Sequence, residues 1–447
     1  MRQRTDLAAN ALAVILAAGL GLALAACAGR EKPSGPPAAA SVSRVKPGLE
    51  VFLEKHLDLV RGKRVGLITN QTGTDAGLRS TVELFQANPA IRLVALYGPE
   101  HGVRGNAQAG EYVPFYYDEA YKLPVFSLYG QSFKPDPGML KNIDEYMRSF
   151  DTREAGKVPE AAMVQGVDVL VYDIQDVGTR VYTYIATMAY AMQAAAEAGI
   201  DFIVLDRPAP IDGEDMEGAV LECPRFSSFV GLYPIPLRFG LTMGEMARLF
   251  NDKFQSRPAR LTVIPMEGWS RSMWFDETGL PWVIPSPNMP TLGTATVYPG
   301  LVALEGTNLS EGRGTTRPFE YFGAPWIDGH ALAARLNALN LAGVRFREAW
   351  FTPYFSKFQG QLCGGCQIHV TDRKTFRPVA VALHILKAAR EMAPDKFAFH
   401  ADYFDKVMGT ASVRLALEAG TDVAAILESM RPGLEAFASL RKEYLLY

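Results

Sequence analysis

Four short runs of apolar and largely β-branched residues, each followed at once by a polar or glycine-rich turn, constrain the fold of this chain more than any other feature. The runs span residues 64–68, 91–97, 167–172 and 202–205. Continuous apolar strands of this kind are typical of a parallel sheet that is covered on both faces. Helical patterns at 78–86 and 182–198 supply crossover connections between the strands. The sequence therefore predicts an α/β fold with a Rossmann-like, doubly wound parallel sheet.

The turns that follow these runs carry polar and charged side chains. Strand-to-helix turns often hold Asp or Asn as helix caps, which would explain one isolated turn. Ligands of open α/β sheets bind outside the carboxyl ends of the strands, however, and all four turns lie at that edge. Four polar turns on one rim therefore predict a functional site. Its candidate residues are Asn70, Glu100, His101, Asp173, Gln175, Asp176, Asp206 and Arg207.

What the sequence lacks excludes several classes of ligand. Neither Gly-x-Gly-x-x-Gly after the first run nor Gly-x-x-x-x-Gly-Lys-Ser/Thr anywhere is present, so we predict no nucleotide cofactor. The formal net charge is −3 and no block of Lys and Arg stands out, which excludes a nucleic-acid binder. Cys363 and Cys366 lack a second Cys pair or a His cluster, so they predict a local disulfide or buried thiols and no metal site.

A second concentration of polar, Gly and Pro residues lies at 282–316, downstream of the predicted sheet. Glycine and proline at this density fix unusual backbone and hold loops rigid. Helical patterns at 330–341 and 378–392 then alternate with short strands such as 367–371. We therefore predict an N-terminal Rossmann-like domain over residues 47–265, a smaller α/β domain over 266–447, and an active site in the cleft between them.

The N-terminal segment predicts export. Residues 1–4 carry charge and residues 7–26 form an apolar run, which is typical of a secretory signal. The run ends in Leu24-Ala25-Ala26-Cys27, which resembles the lipobox of bacterial lipoproteins, with acylation at Cys27. An ordinary signal peptide or a short membrane anchor is the alternative. We expect a signal peptide over 1–26, a lipidated tether over 27–46, and a place at the periplasmic face of the envelope, on the outer membrane since Ala28 follows the cysteine.

Five stretches resemble the signature motifs of the YbbC/NamZ family, whose members are peptidoglycan exo-β-N-acetylmuramidases. They are residues 98–102, 173–184, 206–208, 285–290 and 305–315. The resemblance runs from about residue 57 to the C-terminus in the family's order, but Ala209 stands where members usually have Asn and Phe239 where they usually have His. It implies an exo-lytic glycoside hydrolase that releases N-acetylmuramic acid from muropeptides and from disaccharides of N-acetylmuramic acid and N-acetylglucosamine, without a cofactor.

Such a reaction needs two carboxyl groups, one of which protonates the leaving oxygen. We expect Glu100 to be the proton donor because it lies beside His101 in a turn clamped by Pro and Gly; the alternative is that Glu100 only anchors its loop. Sequence spacing does not select the second carboxylate. The candidate catalytic residues are Glu100, His101, Asp173, Asp176, Glu305 and Glu311.

A guanidinium group can bind the lactyl carboxylate of N-acetylmuramic acid through two hydrogen bonds, and Arg180, Arg207 and Arg313 are the candidates for this role. The alternative is that each of these arginines only neutralises neighbouring acidic residues. Tyr182, Tyr184 and Trp282 are candidates for stacking on sugar rings, although core packing is the commoner fate of such residues. The predicted substrate-binding residues are Asn70, Arg104, Gln175, Arg180, Tyr184, Asp206, Arg207, Asn288, Asn308 and Arg313.

Two other functions compete with this hypothesis. A serine hydrolase of the envelope lacks support because the chain has no Gly-x-Ser-x-Gly elbow. A non-catalytic, muropeptide-binding lipoprotein would keep the arginine and aromatic contacts but would not need paired carboxylates. The sequence alone leaves this second alternative open.

Overall fold

The computed structural model describes residues 44–130, 133–141, 143 and 166–447. The predicted signal peptide, Cys27 and nearly all of the tether lie outside these residues. Residues 43–447 belong to one compact unit. The described residues form two sheets, which differ in size and in strand direction.

The larger sheet has seven strands in the order β3-β4-β2-β1-β5-β6-β7. All neighbouring pairs are parallel except β3 with β4. The strands are β1 (Arg64–Thr69), β2 (Arg92–Gly98), β3 (Tyr116–Asp118), β4 (Leu123–Ser127), β5 (Val169–Asp173), β6 (Asp201–Leu205) and β7 (Arg260–Ile264). The four predicted strands are the adjacent β2, β1, β5 and β6, so the predicted Rossmann-like sheet is confirmed.

Both faces of this sheet are covered, which explains why its central strands are continuously apolar. In β1, Val65 and Leu67 pack into one hydrophobic cluster, while Ile68 belongs to another. The same alternation divides β5, where Val171 lies on one face and Tyr172 on the other. Successive side chains of a strand point to opposite faces, so a strand covered on both sides needs apolar residues at nearly every position.

Helices complete the layers of the fold. Ser80 caps the second helix through a reciprocal capping box with Glu83, and Gly199 ends the fourth with a left-handed φ of 68°. The helices are α1 (Gly48–Lys55), α2 (Thr81–Ala87), α3 (Pro137–Lys141), α4 (Tyr184–Ala198), α5 (Met243–Leu249), α6 (Leu292–Leu301), α7 (Gly329–Ala338), α8 (Pro378–Met392), α9 (Ala401–Met408), α10 (Ser412–Glu418) and α11 (Val423–Arg441).

The smaller sheet is antiparallel and has the strand order β8-β10-β9. Its strands are β8 (Tyr321–Ala324), β9 (Val344–Phe351) and β10 (Cys363–Val370). Cys363 and Cys366 lie in β10 as free, buried thiols, so of the two predicted alternatives the structure has the thiols. The intervening Gly364 and Gly365 permit close strand pairing, since a Cβ at Gly365 would lie 2.0 Å from the carbonyl oxygen of Phe322.

The region from α6 to the C-terminus combines this sheet with helices, in agreement with the predicted smaller α/β part. One hydrophobic cluster extends from the large sheet, including Tyr172, to α8, including Leu383. The predicted domain boundary near residue 265 stays a prediction. Within the described part of the chain, no helix combines the length and the apolar character that a membrane crossing requires.

Candidate active site

A cavity of about 350 Å³ lies where loops after the large sheet meet loops of the C-terminal part. We call it the inner cavity. Its volume is at the lower end of the roughly 300–1,000 Å³ of ligand pockets, which suits a single sugar ring with its substituents. Its lining residues are Glu100, His101, Ala109, Gly110, Tyr129, Phe133, Val181, Tyr182, Thr183, Phe229, Val230, Ser286, Asn288, Met289, Tyr298, Glu305, Arg313, Phe319 and Tyr403.

Glu100 reaches this cavity because β2 ends in a tight turn. The backbone N–H of Gly102 donates to the Pro99 carbonyl, and His101 and Gly102 both have left-handed φ values, 73° and 75°. The side chain of Glu100 is only 8% exposed. Its Oε1 accepts a hydrogen bond from the N–H of Gly110 at 3.0 Å, and its Oε2 accepts one from the Thr183 hydroxyl at 2.7 Å. These bonds fix the direction of the carboxyl group.

His101 lines the same cavity. Its Nδ1 lies 2.7 Å from the Ala107 carbonyl oxygen, which makes Nδ1 the donor and leaves Nε2 as an acceptor in the neutral ring. Burial lowers the pKa of His101, against the opposing effect of Glu100. The ring is therefore neutral at physiological pH.

Glu305 enters the cavity from a helical turn, Val302–Gly306, that follows α6. Gly306 allows α9 to pack directly on this turn, because a Cβ at Gly306 would lie 2.5 Å from the Cα of Phe404. The close packing brings the Tyr403 hydroxyl to Oε2 of Glu305, where it donates a hydrogen bond at 3.0 Å. Burial and the proximity of Glu305 raise the pKa of Tyr403, so its hydroxyl stays protonated and remains a donor.

Arg313 joins the two acidic residues of the C-terminal motif. It forms ion pairs with Glu305 at 2.6 Å and with Glu311 at 3.4 Å. Burial alone would lower the pKa of Arg313, but the two carboxylates outweigh it and raise the pKa. Glu311 is also paired with Lys357 at 3.0 Å. Glu311 thus forms ion pairs with two cationic side chains, whereas Glu305 lines the inner cavity and forms an ion pair with Arg313.

Aromatic rings form much of the remaining wall. Phe133 and Phe229 stack with a centroid distance of 4.1 Å, and Tyr129 lies 5.5 Å from each of them. Tyr182 packs edge-on against Tyr298 at 5.9 Å. Burial and then Glu100 raise the pKa of Tyr129 to about 12. Rings beside hydrogen-bonding groups are the combination that sugars require, since each pyranose has apolar faces and a polar rim.

A second cavity, also of about 350 Å³, adjoins the first. We call it the outer cavity. It shares Ala109, Asn288, Glu305 and Arg313 with the inner cavity, so the two form one continuous cleft. Its other lining residues are Gln108, Glu311, Phe355 and Ser356.

The predicted site residues divide into two groups. Glu100, His101, Glu305, Asn288 and Arg313 line the inner cavity, and Glu311 lines the outer one. The others line neither. They are Asn70, Arg104, Asp173, Gln175, Asp176, Arg180, Tyr184, Asp206, Arg207 and Asn308.

Two acidic residues of the second group bind neighbouring loops. The fully buried Asp173 forms an ion pair with Arg207 at 2.5 Å and accepts a hydrogen bond from the Thr81 hydroxyl. Asp206 accepts hydrogen bonds from the Thr242 hydroxyl and from the N–H of Gly244, which holds the start of α5 at the edge of the sheet.

Asp176 is the third acidic residue outside the cleft. Its Oδ1 accepts the N–H of Gly178 at 2.6 Å, and its buried Oδ2 has no hydrogen-bond partner among the described residues. Burial raises the pKa of Asp176 to about 7.

Arg180 binds backbone carbonyl groups inside the protein. Its guanidinium is buried and donates to the carbonyl oxygens of Ala219, Ile235 and Val407 at 3.0, 3.0 and 2.6 Å. Burial lowers its pKa to about 10. The guanidinium thereby ties the loop after β5 to two distant segments of the chain.

The predicted amide and tyrosine contacts are also made within the protein. Asn70 accepts from the N–H of Thr72, Tyr184 donates to the Pro285 carbonyl at 2.6 Å, and Asn308 donates to the Lys396 carbonyl at 2.7 Å.

The last two predicted contacts lie apart from the cleft. Gln175 donates to the Pro208 carbonyl, and Arg104 pairs with Asp118 at 2.6 Å near the surface. Among the described residues, no group of three or more His, Cys, Asp and Glu side chains is placed to hold a metal ion.

Family models cover most of the chain. The model described as exo-β-N-acetylmuramidase NamZ, N-terminal, matches residues 65–157 and 147–293, and the C-terminal model matches residues 296–447. The chain belongs to the NamZ family. A curated NamZ relative, the peptidoglycan β-N-acetylmuramidase of Bacillus subtilis (strain 168), is 50% identical over 405 residues, which are 90% of this chain and 92% of the relative.

Crystal structures of two DUF1343 family proteins from Bacteroides fragilis share this NamZ-family fold. One has 37% identity and a TM-score of 0.79, with 90% of this chain and 99% of that chain covered. The other has 28% identity and a TM-score of 0.68, with 91% and 99% covered. The similarity of fold therefore extends over nearly the whole described chain.

The two residues that differ from the usual NamZ-family pattern, Ala209 and Phe239, lie in hydrophobic clusters. Ala209 packs near Val45 and Trp269, and Phe239 is buried in the main core. Neither lines the inner or the outer cavity. The predicted stacking residue Trp282 also lies away from the cleft, with its ring 5.1 Å from that of Phe275.

Sequence analysis missed several residues of this NamZ-family cleft. They are Tyr129, Phe133, Phe229, Tyr298 and Tyr403, together with Phe355 of the outer cavity. Lys357, which pairs with the cleft residue Glu311, was missed as well. All of them stand outside the quoted motifs, mostly in segments without a distinctive local pattern. A signal existed only for Tyr298, which lies in the polar and proline-rich region that was singled out.

Proposed function

We propose that this chain is an exo-lytic glycoside hydrolase that releases N-acetylmuramic acid from the non-reducing end of peptidoglycan fragments. The observation that carries the proposal is that two carboxyl groups, Glu100 and Glu305, line one cavity that suits a single sugar. Family membership and the activity named for the Bacillus subtilis relative support it. A protein that only binds muropeptides needs no such pair, so the pair favours the enzyme over that alternative.

The environments of the two carboxyl groups assign their roles. Glu100 accepts hydrogen bonds from the neutral donors Gly110 and Thr183, while Glu305 is paired with Arg313. In glycoside hydrolysis one of the two carboxyl groups acts as an anion, and Arg313 places a positive charge beside Glu305. Glu100 is therefore the acid, and Glu305 is the carboxylate that acts on the anomeric centre or on the attacking water.

In the overall reaction water adds across the glycosidic C–O bond. Glu100 gives its proton to the leaving oxygen as that bond breaks, and the anomeric carbon receives the hydroxyl group of water. Glu305 stabilises the positive charge that develops on the sugar. The Tyr403 hydroxyl and Arg313 hold the Glu305 carboxylate in position.

Arg313 also suits the lactyl carboxylate of N-acetylmuramic acid. A guanidinium has five N–H donors. The ion pairs of Arg313 with Glu305 and Glu311 use Nη2 and Nε, and within the described residues Nη1 has no ion-pair partner, so its donors suit an anionic substituent of the sugar. Of the three arginines predicted for this role, Arg313 lines the cleft, while Arg180 and Arg207 bind backbone and Asp173 inside the protein.

The test uses two disaccharides that differ only in the order of their sugars. The full chain should cleave β-1,4-linked N-acetylmuramyl-N-acetylglucosamine into its two sugars. It should not cleave N-acetylglucosaminyl-N-acetylmuramic acid, whose non-reducing end lacks the lactyl group. The products are separated by liquid chromatography and identified by mass spectrometry. Cleavage of neither disaccharide, with the first one bound, would instead support the muropeptide-binding alternative.

We further propose that the protein acts at the periplasmic face of the cell envelope, anchored by a lipid on Cys27. The motif Leu24-Ala25-Ala26-Cys27 and the Pro/Ala-rich segment behind it support this location. A Cys27→Ser substitution should move the protein from the membrane fraction to the soluble fraction of lysed cells. Retention of the variant in the membrane fraction contradicts the lipid anchor.

A further inference from the structure

The outer cavity differs from the inner cavity in the exposure of its walls. About half of the residues that line the inner cavity are buried, among them Tyr182, Met289 and Phe319, although Phe133 and Tyr403 are exposed. The outer cavity combines buried polar residues with exposed ones, and its aromatic residue Phe355 is 41% exposed. A continuous cleft with a buried end and an open end suits a chain molecule whose terminal unit goes in first.

The loop that carries Phe355 is held in a fixed place. This 352–362 loop connects β9 to β10, and the Lys357 ammonium at its centre donates to the carbonyl oxygens of Leu304 and Leu309 at 2.8 and 2.9 Å. Lys357 also pairs with Glu311. The backbone N–H of Tyr354 donates to the Gly314 carbonyl at 2.8 Å. The loop is therefore tied to the same segment that supplies Glu305.

The backbone of the loop is strained beside the outer cavity. Ser356 and Phe358 have φ values of 71° and 58°, which lie in a backbone region that residues other than glycine rarely adopt. Strain of this kind costs about 1–3 kcal/mol per residue and persists where the surrounding structure enforces it. The Lys357 contacts supply that enforcement, and they hold the exposed Phe355 at the wall of the cavity that Glu305 also lines.

We propose that the outer cavity is the subsite for the leaving sugar, and that Phe355 is the platform on which this sugar rests. The inference rests on the proposed function, because it places the sugar on the reducing side of the scissile bond next to Glu305. The occupant is an uncharged N-acetylhexosamine, whose apolar face packs on the Phe355 ring. Gln108 supplies a hydrogen-bonding side chain from the loop that follows His101.

The test compares two substrates that share N-acetylmuramic acid but differ in the leaving group. One is the disaccharide with N-acetylglucosamine, and the other is the methyl β-glycoside, whose leaving group is too small to fill the outer cavity. The readout is the ratio of kcat/KM for the disaccharide to kcat/KM for the methyl glycoside. This ratio isolates what the leaving sugar contributes, because effects on the inner cavity act on both substrates.

For Phe355→Ala we expect the ratio to fall about tenfold, the factor that corresponds to ~1.4 kcal/mol of lost aromatic contact. Gln108→Ala, on another loop, should lower the same ratio by a smaller factor. The matched control is Trp350→Ala. Trp350 lies on strand β9 next to the loop and is 57% exposed, but it lines neither cavity. Its removal should leave the ratio unchanged.

A ratio that stays constant in both Phe355→Ala and Gln108→Ala overturns the subsite assignment. An equal fall in Trp350→Ala also overturns it, since the effect would then come from the hairpin and not from the cavity. Failure of the proposed function looks different, because the unmodified protein would then cleave neither substrate. Melting temperatures of the variants show that each is folded.

Discussion

Replacing Glu100 with Gln tests the assignment of the acid directly. In the protein, Glu100 accepts one hydrogen bond from the N–H of Gly110 and one from the Thr183 hydroxyl. A glutamine keeps the first bond through its carbonyl oxygen, and it keeps the second by donating its amide N–H to the Thr183 oxygen. The substitution therefore removes the transferable proton while it preserves the shape and both contacts of the side chain.

The magnitudes follow from these contacts. With both hydrogen bonds retained, the free energy of unfolding should change by less than about 1 kcal/mol, the net worth of one such bond. Loss of general-acid catalysis costs a factor of about 10²–10⁴ in kcat, which is ~2.7–5.4 kcal/mol of transition-state stabilisation. The effect on catalysis thus exceeds the effect on stability severalfold.

The assay measures kcat on two substrates with different leaving groups. The kcat for the natural disaccharide should fall by a factor of about 10² or more, because a sugar alkoxide is a poor leaving group unless it is protonated. Cleavage of a nitrophenyl muraminide should fall much less, since nitrophenolate is a stable leaving group. Glu111→Gln is the control: Glu111 is exposed on the same loop, and its carboxylate accepts from the N–H of Gln108. Both activities should be unchanged in that variant.

Equal losses on the two substrates would falsify the assignment of Glu100 as the acid. Collapse of substrate binding in Glu100→Gln would likewise show that the side chain anchors its loop. In either case the acid has to be sought among the remaining carboxyl groups, beginning with Glu305, which also lines the inner cavity.

Substitutions at Asp176, Tyr403 and Arg180 test the site and the contacts that support it. Burial raises the pKa of Asp176 to about 7, so folding retains a proton that the unfolded chain releases above pH ~4, and stability falls as the pH rises from about 4 to 7. Asp176→Asn removes this pH-dependent loss of stability, which amounts to at most ~4 kcal/mol. The melting temperature of the variant relative to that of the unmodified protein should therefore be higher at pH 8.5 than at pH 5. An equal difference in melting temperature at both pH values contradicts the raised pKa. Tyr403→Phe removes one hydrogen bond to the Glu305 carboxylate and should lower kcat about tenfold at an unchanged melting temperature; an unchanged kcat would remove Tyr403 from the mechanism. Arg180→Met leaves the buried carbonyl oxygens of Ala219 and Val407 without the guanidinium donor, while the Ile235 carbonyl keeps the N–H of Leu221. The variant should be destabilised by ~2 kcal/mol or more with an unchanged KM, whereas a raised KM in a fully stable variant would show that Arg180 takes part in substrate recognition.

The sheet was largely predictable because its central strands are local features. Strands β1, β2, β5 and β6 are apolar at almost every position, since both faces of the sheet are covered. The edge strands β3 and β7 escaped prediction because this requirement is weaker at the edges of a sheet, and the buried strand β4 was not predicted either. Strand β7 is only partly buried and β3 has three residues, so neither shows a sustained pattern.

The site was only partly predictable. Glu100, Glu305 and Arg313 stand in distinctive motifs, and all three line the inner cavity. Asp173 and Arg207 stand in equally distinctive motifs, yet they pair with each other inside the protein. Motif membership does not separate these two outcomes, because a buried ion pair and an active site both require charged residues at defined positions.

The sequence by itself determined the α/β class, the four central strands, the edge of the sheet that carries polar loops, and the family. Each of these depends on residues close together in the chain, where periodicity and turn composition act. Only the tertiary structure decided which charged groups face the cleft and which satisfy one another. Tyr403 reaches Glu305, and Lys357 reaches Glu311, across long stretches of chain. Such contacts arise from the packing of α9 and of the 352–362 loop, and packing is a property of the folded molecule that no local pattern contains.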